Sequence, residues 1–292
     1  MKNMASGTAE GIAYMRYFES ARPIEQRICN DYMAYRLMAW WVRAAVWLTK
    51  PFPLRFMDWA FEKKGRGMSG YIAMRARLFD DYVLDRIAAG VRQYVILGAG
   101  LDSRPYRFHD RLQGIPVFEV DHPLSQQVKK ERVARYFGRL PDYVRYVPVD
   151  FTRESLFDCL TRAGYAADLP TVFTMEGVTM YLPEAAVRET LSLISGNSGP
   201  GSSLMMDYVY QAALDGRIKN RVIRHMNTLK FIFNEPILFG IDFGQAEQFL
   251  LSLGYDRAQD YPPQRLHDLY LRPITPQRPI SDAYAIVAAY KD

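Results

Sequence analysis

Cysteine is nearly absent from this chain. Cys29 and Cys159 are the only two in 292 residues, and they lie far apart without a C-x-x-C pair. That leaves no disulfide framework and no thiol-based metal site, and it points to a reducing setting. Histidine is almost as scarce: His109, His122, His225 and His267 are scattered and form no H-x-x-x-H face. A G-x-S-x-G elbow and a Walker loop are also missing, which removes hydrolase and NTPase readings. No repeat or low-complexity tract interrupts the chain. The opening MKNMASGTAEG has no signal-peptide core, so a cytoplasmic location is expected. The most apolar early run, Met38 to Leu48, is too short to span a bilayer and is broken by Arg43. Its Trp40, Trp41 and Trp47 are expected to pack on the body of the protein or to roof a pocket, the alternative being that they lie on a membrane surface. An excess of one charge is lacking too: 37 basic against 32 acidic residues leave +5, spread along the chain. The expectation is therefore no nucleic-acid partner and no membrane partner.

At 49% hydrophobic and 24% charged, the chain can bury one large core with an accessory segment. The most informative stretch is YVILGAGLDSRPYR, Tyr94 to Arg107, where a β-favouring run stops at Gly98-Ala99-Gly100. Such a run ending in paired glycines reads as the first strand of a nucleotide-binding α/β sheet. About 20 residues further on, VFEVDHP places Glu119 and Asp121 at a second strand end, a spacing suited to a ribose diol. Dinucleotide folds want a third small residue and an N-terminus open to a diphosphate. Here Leu101-Asp102-Ser103-Arg104 follows instead. A carboxylate at Asp102 repels a diphosphate and favours a cationic ligand such as S-adenosylmethionine. The same residue also reads as a helix N-cap.

LGAGLDSRPYR, then FEVDHP, then VPVDF (Val147 to Phe151), then MEGVTMYLPEAAV (Met175 to Val187) follow one another in the order and spacing of one family. The chain resembles the leucine carboxyl methyltransferase family of class I S-adenosylmethionine-dependent methyltransferases from about Gly70 onward. The resemblance implies an α/β, Rossmann-like sheet of seven strands with the last one antiparallel, an N-terminal helical extension and a lid insertion. It implies S-adenosyl-L-methionine as cofactor, with Gly98, Ala99 and Gly100 against its amino-acid and ribose portion. Asp121 would hold the ribose hydroxyls, Glu119 being the fallback. Asp150 and Phe151 would flank the adenine, although Asp150 also suits a helix N-cap. Glu176, inside an apolar run, would meet the methionyl ammonium, and Arg75 its carboxylate; the R-A-R pattern leaves Arg77 in play. Tyr181 would stand near the methyl acceptor as the catalytic candidate, or serve as a core aromatic. Arg104 and Arg107 would bind an acceptor carboxylate or solvate their helix.

The implied reaction is in-line O-methyl transfer to a small molecule carrying a carboxyl group. An ionised carboxylate needs no general base; a phenol would, and His122 is the nearest in sequence. The rival enzyme reading is an NAD-type oxidoreductase, and a third is a cofactor-binding module without turnover.

Periodicity predicts helix over Thr8 to Lys50, ended by Pro51 and Pro53, and again over Gly70 to Ala89. Strands are predicted near 94–98, 116–121, 144–149, 171–176 and 203–209, followed by a helix, a strand and a last long strand through SDAYAIVAAY. The division expected is an accessory segment, 1–69, and a methyltransferase domain, 70–292. An insertion at about 210–240 would cover the acceptor site. Within it Glu235-Pro236 sets a turn, Arg221 and Arg224 hint at an acidic substrate, and Phe231 and Phe233 at an apolar lining.

Overall fold

A computed structural model describes residues 7–150, 154–219, 223 and 236–292. Seven strands form one sheet: β1 (Gln93–Leu97), β2 (Val117–Asp121), β3 (Val144–Pro148), β4 (Thr171–Met175), β5 (Ser203–Val209), β6 (Arg257–Tyr261) and β7 (Tyr284–Tyr290). Their order is β3-β2-β1-β4-β5-β7-β6, with β7 antiparallel to both neighbours. This is the seven-stranded arrangement with an antiparallel last strand that the family resemblance implies. Central β1, β4 and β5 are buried along their whole length, as expected of strands covered on both faces. Edge strand β3 is only partly buried and accommodates Pro148 at its end, where a missing N–H costs little. Two apolar clusters fill the space on either side of the sheet, one around Ile96, Tyr94 and Met205, the other around Val95, Phe173 and Met206.

Helices cross between the parallel strands. The longest, α5 (Met68–Ala88), precedes β1 and buries Tyr71, Met74, Arg75 and Phe79. A short α6 (Arg104–Arg107) follows the glycine turn. Helix α7 (Pro123–Phe137) has Pro123 at its first position, where no intrahelical N–H is needed, and ends at Gly138. α8 (Leu156–Arg162) is capped by the Ser155 hydroxyl, which accepts from the Asp158 N–H. α9 (Glu184–Gly196) and α10 (Gln211–Leu214) flank β5, and α11 (Ala246–Leu251) leads into β6.

The single helical stretch predicted over Thr8 to Lys50 is instead three helices: α1 (Gly7–Ser20), α2 (Ala34–Leu37) and α3 (Trp40–Thr49). Pro23 interrupts the first break, because its ring cannot continue an α-helical ladder. Pro51 and Pro53 do end α3, and α4 (Leu54–Lys64) follows. The tryptophans of α3 neither pack on the body nor roof a pocket. Trp40, Trp41 and Trp47 are 79%, 42% and 68% exposed, while Val42 and Val46 form the face turned inward. Among the described residues no helix is long and apolar enough to cross a membrane.

Of the insertion, Arg221, Arg224, Phe231, Phe233 and Glu235 lie outside the described residues, as does Phe151. Where the chain is described again, the Leu238 N–H donates to the Met180 carbonyl at 2.7 Å, and Ile241 bridges to Tyr210. The segment thereby returns against the short 3-10 turn Thr179–Tyr181.

Candidate functional site

A cleft of about 430 Å³ opens at the C-terminal ends of β1, β2 and β4. β1 is where the strand order reverses, the place at which open α/β sheets bind ligands. Its floor is the turn Gly98-Ala99-Gly100. Gly98 has φ +66°, and a Cβ there would lie 2.3 Å from the Val178 Cγ2 atom, so bulk is excluded by the protein itself as well as by backbone conformation.

Nine of the predicted site residues meet here: Arg75, Gly98, Ala99, Gly100, Asp102, Asp121, Asp150, Glu176 and Tyr181 all line the cleft. The Asp121 carboxylate ends β2 and accepts from the Gly100 N–H at 2.5 Å and from the His122 N–H at 2.7 Å. Burial pushes its pKa up, against the pull of those two N–H groups. Each oxygen keeps lone-pair capacity for a further donor. Asp102 is not the N-cap of α6, a position that Ser103 holds, but it stands one residue before it. Its Oδ1 accepts from the Arg104 N–H at 2.8 Å at the start of α6, and it borders the cleft.

Glu119 does not reach the cleft. It is a fully buried residue of β2, ion-paired to Lys129 at 2.8 Å, with the Tyr106 hydroxyl donating at 3.1 Å. Burial pushes its carboxyl up to about 7, although Lys129 pulls the other way. Lys129 in turn donates to the Ala99 carbonyl at 3.2 Å. Glu119 therefore braces the underside of the glycine turn and is replaced as a ligand candidate by Asp121 alone. Between the two arginines of R-A-R, Arg75 is buried and lines the cleft, whereas Arg77 is half-exposed and pairs with Asp81 at 2.9 Å.

Arg75 and Glu176 are not held apart for a ligand. Arg75 Nε donates to Glu176 at 3.0 Å, and its Nη1 to Asp207 at 2.6 Å. Asp207 also accepts from the Gly177 N–H at 2.6 Å. Arg104 neither solvates its helix nor reaches outward: at 2% exposure it bridges Asp80 at 2.8 Å, Asp102 at 2.8 Å and Glu176 at 2.7 Å. The Arg107 side chain is 6% exposed and forks onto Asp80 at 2.7 and 2.8 Å. From α1, Arg16 pairs with Asp31 at 2.9 Å and donates to the Leu101 carbonyl at 2.8 Å. Asp31 also takes the Ser103 hydroxyl and faces Arg107 at 3.4 Å. One buried chain of charge thus runs from Arg16 to Asp207 behind the cleft wall. Burial works against the charged Glu176 carboxylate, but Arg104 and Arg75 outweigh it and hold the group well below the usual range.

Sequence reasoning missed the α1 face. Thr8, Ile12 and Arg16 line the cleft beside Ala9, and their spacing of four was the available signal. It also missed Asp31, Asp80 and Asp207, which look like ordinary surface or strand-end acids in the sequence. His122, the candidate base, caps α7: its Nδ1 accepts from the Leu124 N–H at 3.3 Å. No group of three or more metal-ligating side chains occurs among the described residues. Charges facing the cleft are Arg16 and Arg75 against Asp102, Asp121, Asp150 and Glu176, a net of two negative.

A profile of the family described as "Leucine carboxyl methyltransferase" matches residues 9–195. A Bacillus subtilis protein named "Putative S-adenosyl-L-methionine-dependent methyltransferase YktD" is 29% identical over 196 residues, 67% of this chain and 64% of that protein. A Mycobacterium marinum protein with the same description is 39% identical over 147 residues, 50% of this chain and 47% of its own length. The match thus spans about half to somewhat under two thirds of these relatives. The crystal structure of a "putative methyltransferase" from Thermobifida fusca superposes with a TM-score of 0.56 at 14% identity, over 94% of this chain and 96% of that one, a likeness of fold.

Proposed function

This chain belongs to the leucine carboxyl methyltransferase family, and from that premise we propose that it transfers a methyl group from S-adenosyl-L-methionine to a carboxylate oxygen of a small molecule. The observation that carries this reading is the acid excess of the cleft. Two arginines face four carboxylates there, which suits a ligand with sulfonium and ammonium charges and disfavours a diphosphate.

The residues present fit such a donor. Asp121 keeps lone pairs for a vicinal diol beyond the two N–H groups it already binds. The Gly98–Gly100 turn presents backbone without side-chain bulk. Arg75 and Glu176, opposite charges side by side, complement a zwitterionic amino-acid end, with Arg16 and Asp102 as the next charges of each sign. Asp150 stands at the far side, where an exocyclic amine would donate to it. When bound, the donor supplies a methyl group activated by a positively charged sulfur.

What the chain itself contributes is placement. α1, the segment around Val178, Tyr181 and Leu182 and the end of β2 line the cleft, and with donor and acceptor bound they would keep water from the reacting atoms. Such positioning contributes about 7 to 11 kcal/mol of barrier lowering. The acceptor is proposed to be a carboxylate because it is ionised at neutral pH and needs no base. In support, His122 commits its Nδ1 to capping α7. Tyr181 at the cleft edge would orient the acceptor through its hydroxyl.

Calorimetry with S-adenosylhomocysteine tests the cradle. Micromolar binding is expected for the wild type, and at least tenfold weaker binding for Asp121→Ala, with Asp121→Asn intermediate. Equal affinity in all three proteins would refute the assignment. Methyl transfer from labelled donor to a panel of carboxylic acids, and not to phenols, is the expected turnover result. Binding of a nicotinamide dinucleotide without binding of the methyl donor would replace the reading with an oxidoreductase.

A further inference from the structure

All four tryptophans of the chain, Trp40, Trp41, Trp47 and Trp59, lie in the hairpin of α3 and α4, and none is buried. Their exposures are 79%, 42%, 68% and 52%. Tryptophan carries a large apolar surface that a folded protein normally covers at least in part, so four exposed together call for a physical reason. On α3 the outward positions Trp40, Ala44, Trp47 and Leu48 repeat at helical spacing, giving an apolar stripe turned to solvent while Val42 and Val46 seat the helix. Across the Pro51–Pro53 turn the row continues in a stacked ladder. Phe52 lies 5.1 Å from Phe56, Phe56 lies 5.6 Å from Trp59, and the Lys63 ammonium sits 4.2 Å over the Trp59 ring.

The charge around these rings has one sign. Lys50, Arg55, Lys63, Lys64 and Arg66 are exposed. Both acids of the hairpin are turned to partners: Asp58 to Arg22, and Glu62 to the Gly67 N–H at 2.7 Å and the Ser69 hydroxyl at 3.2 Å. The +5 of the whole chain is therefore not evenly spread, since residues 40–66 hold six basic and two acidic side chains and account for +4 of it.

We propose that the α3–α4 hairpin is a docking surface for an anionic lipid bilayer, with its tryptophans and phenylalanines at the headgroup boundary and its lysines and arginines on the lipid phosphates. Exposed aromatics with a basic surround are the composition of interfacial helices, which lie in the membrane plane without crossing it. A protein partner or a second copy of the chain would bury such rings equally well. The one-sided charge favours a surface that is itself uniformly negative, because two copies of this face would repel. The surface adjoins the cleft: α3 is tied to α1 by the Tyr14 and Thr49 hydroxyls, 3.0 Å apart, and by the Ala39 N–H donating to Glu10 at 3.0 Å. The opposite face of α1 carries Ile12 and Arg16 into the cleft.

Because every tryptophan sits in the hairpin, tryptophan fluorescence, excited selectively over the 20 tyrosines, reports on this surface. The full chain is mixed with vesicles of phosphatidylcholine, or of phosphatidylcholine with phosphatidylglycerol, then sedimented, with tryptophan emission recorded and brominated lipid added as quencher. The expected result is co-sedimentation with the anionic vesicles, a blue shift with quenching, and weakening by salt. Trp47→Ser with Phe56→Ser should abolish the association. Lys63→Gln with Lys64→Gln should weaken it on the order of fivefold per charge removed. These exposed sites should leave the circular dichroism and donor binding unchanged. No sedimentation with anionic vesicles, or association without any change in emission, would overturn the proposal. So would self-association in velocity sedimentation that the Trp47→Ser, Phe56→Ser variant dissolves while vesicle binding is absent.

Discussion

Glu176 shows how much a single carboxylate carries in this molecule. Removing one member of a buried ion pair costs about 3 to 5 kcal/mol, because the remaining charge stays desolvated. Arg75 and Arg104 each keep other acids, so Glu176→Gln is expected at the low end, about 3 kcal/mol, in urea unfolding at neutral pH. The sign of its pH dependence follows from the lowered pKa. A depressed folded-state pKa means stability that is present above the ordinary glutamate value and lost as pH falls through the folded one. The gap between wild type and Glu176→Gln should therefore be widest near neutrality and close progressively in acid. A constant gap from neutral pH down to the acid transition would show that the arginines do not hold the carboxylate ionised. Lys129→Met is the matching test at the brace under the turn. It leaves Glu119 buried beside Tyr106 with no cation; because burial already holds that carboxyl up at about 7, it should take up a proton, and the loss of stability in unfolding should grow as pH rises above neutrality and shrink in acid. Retained affinity for S-adenosylhomocysteine would mean the turn stands without its strut.

At the level of elements, the turn after β1 depends on a fit between two segments. Gly98 combines φ +66° with a Cβ position inside the Val178 side chain. Gly98→Ala should therefore be destabilising by more than about 1 kcal/mol in equilibrium unfolding. Val178→Ala clears the clash and leaves the backbone cost, so the double variant should recover part of the loss and not all of it. Full recovery would place the whole penalty in the contact. The strands themselves were readable within about a residue, because apolar runs bounded by glycine and proline are local signals. The N-terminal helices were not. An apolar, helix-favouring composition from Thr8 to Lys50 does not record that Pro23 splits it, nor which side of α3 meets the body. Val42 and Val46 face in and the bulkier tryptophans face out, the reverse of what residue size suggests.

For the whole molecule, ligand linkage offers the broadest check. A ligand that binds only the folded state at a hundred times its dissociation constant adds about 2.7 kcal/mol. S-adenosylhomocysteine at such excess should raise the unfolding temperature, and a nicotinamide dinucleotide should not, since the cleft wall carries net negative charge. A reversed order of the two in differential scanning calorimetry would contradict the electrostatic argument. The buried chain of charge from Arg16 to Asp207 belongs to this scale as well. It joins α1, the residue-31 loop, α5, α6, β4 and β5 behind one wall, so the accessory helices and the sheet share their most costly groups. Taken alone, the sequence determined the sheet, its order of elements, the glycine turn and the acid at Asp121, because each rests on patterns a few residues long. Only the tertiary structure decided that Arg75 and not Arg77 faces the cleft, that Glu119 is a brace, and that four tryptophans meet water. Those outcomes depend on which distant segments come together, as Arg75 and Asp207 do across 132 positions, and burial and pairing of charge are set by that meeting and by nothing local.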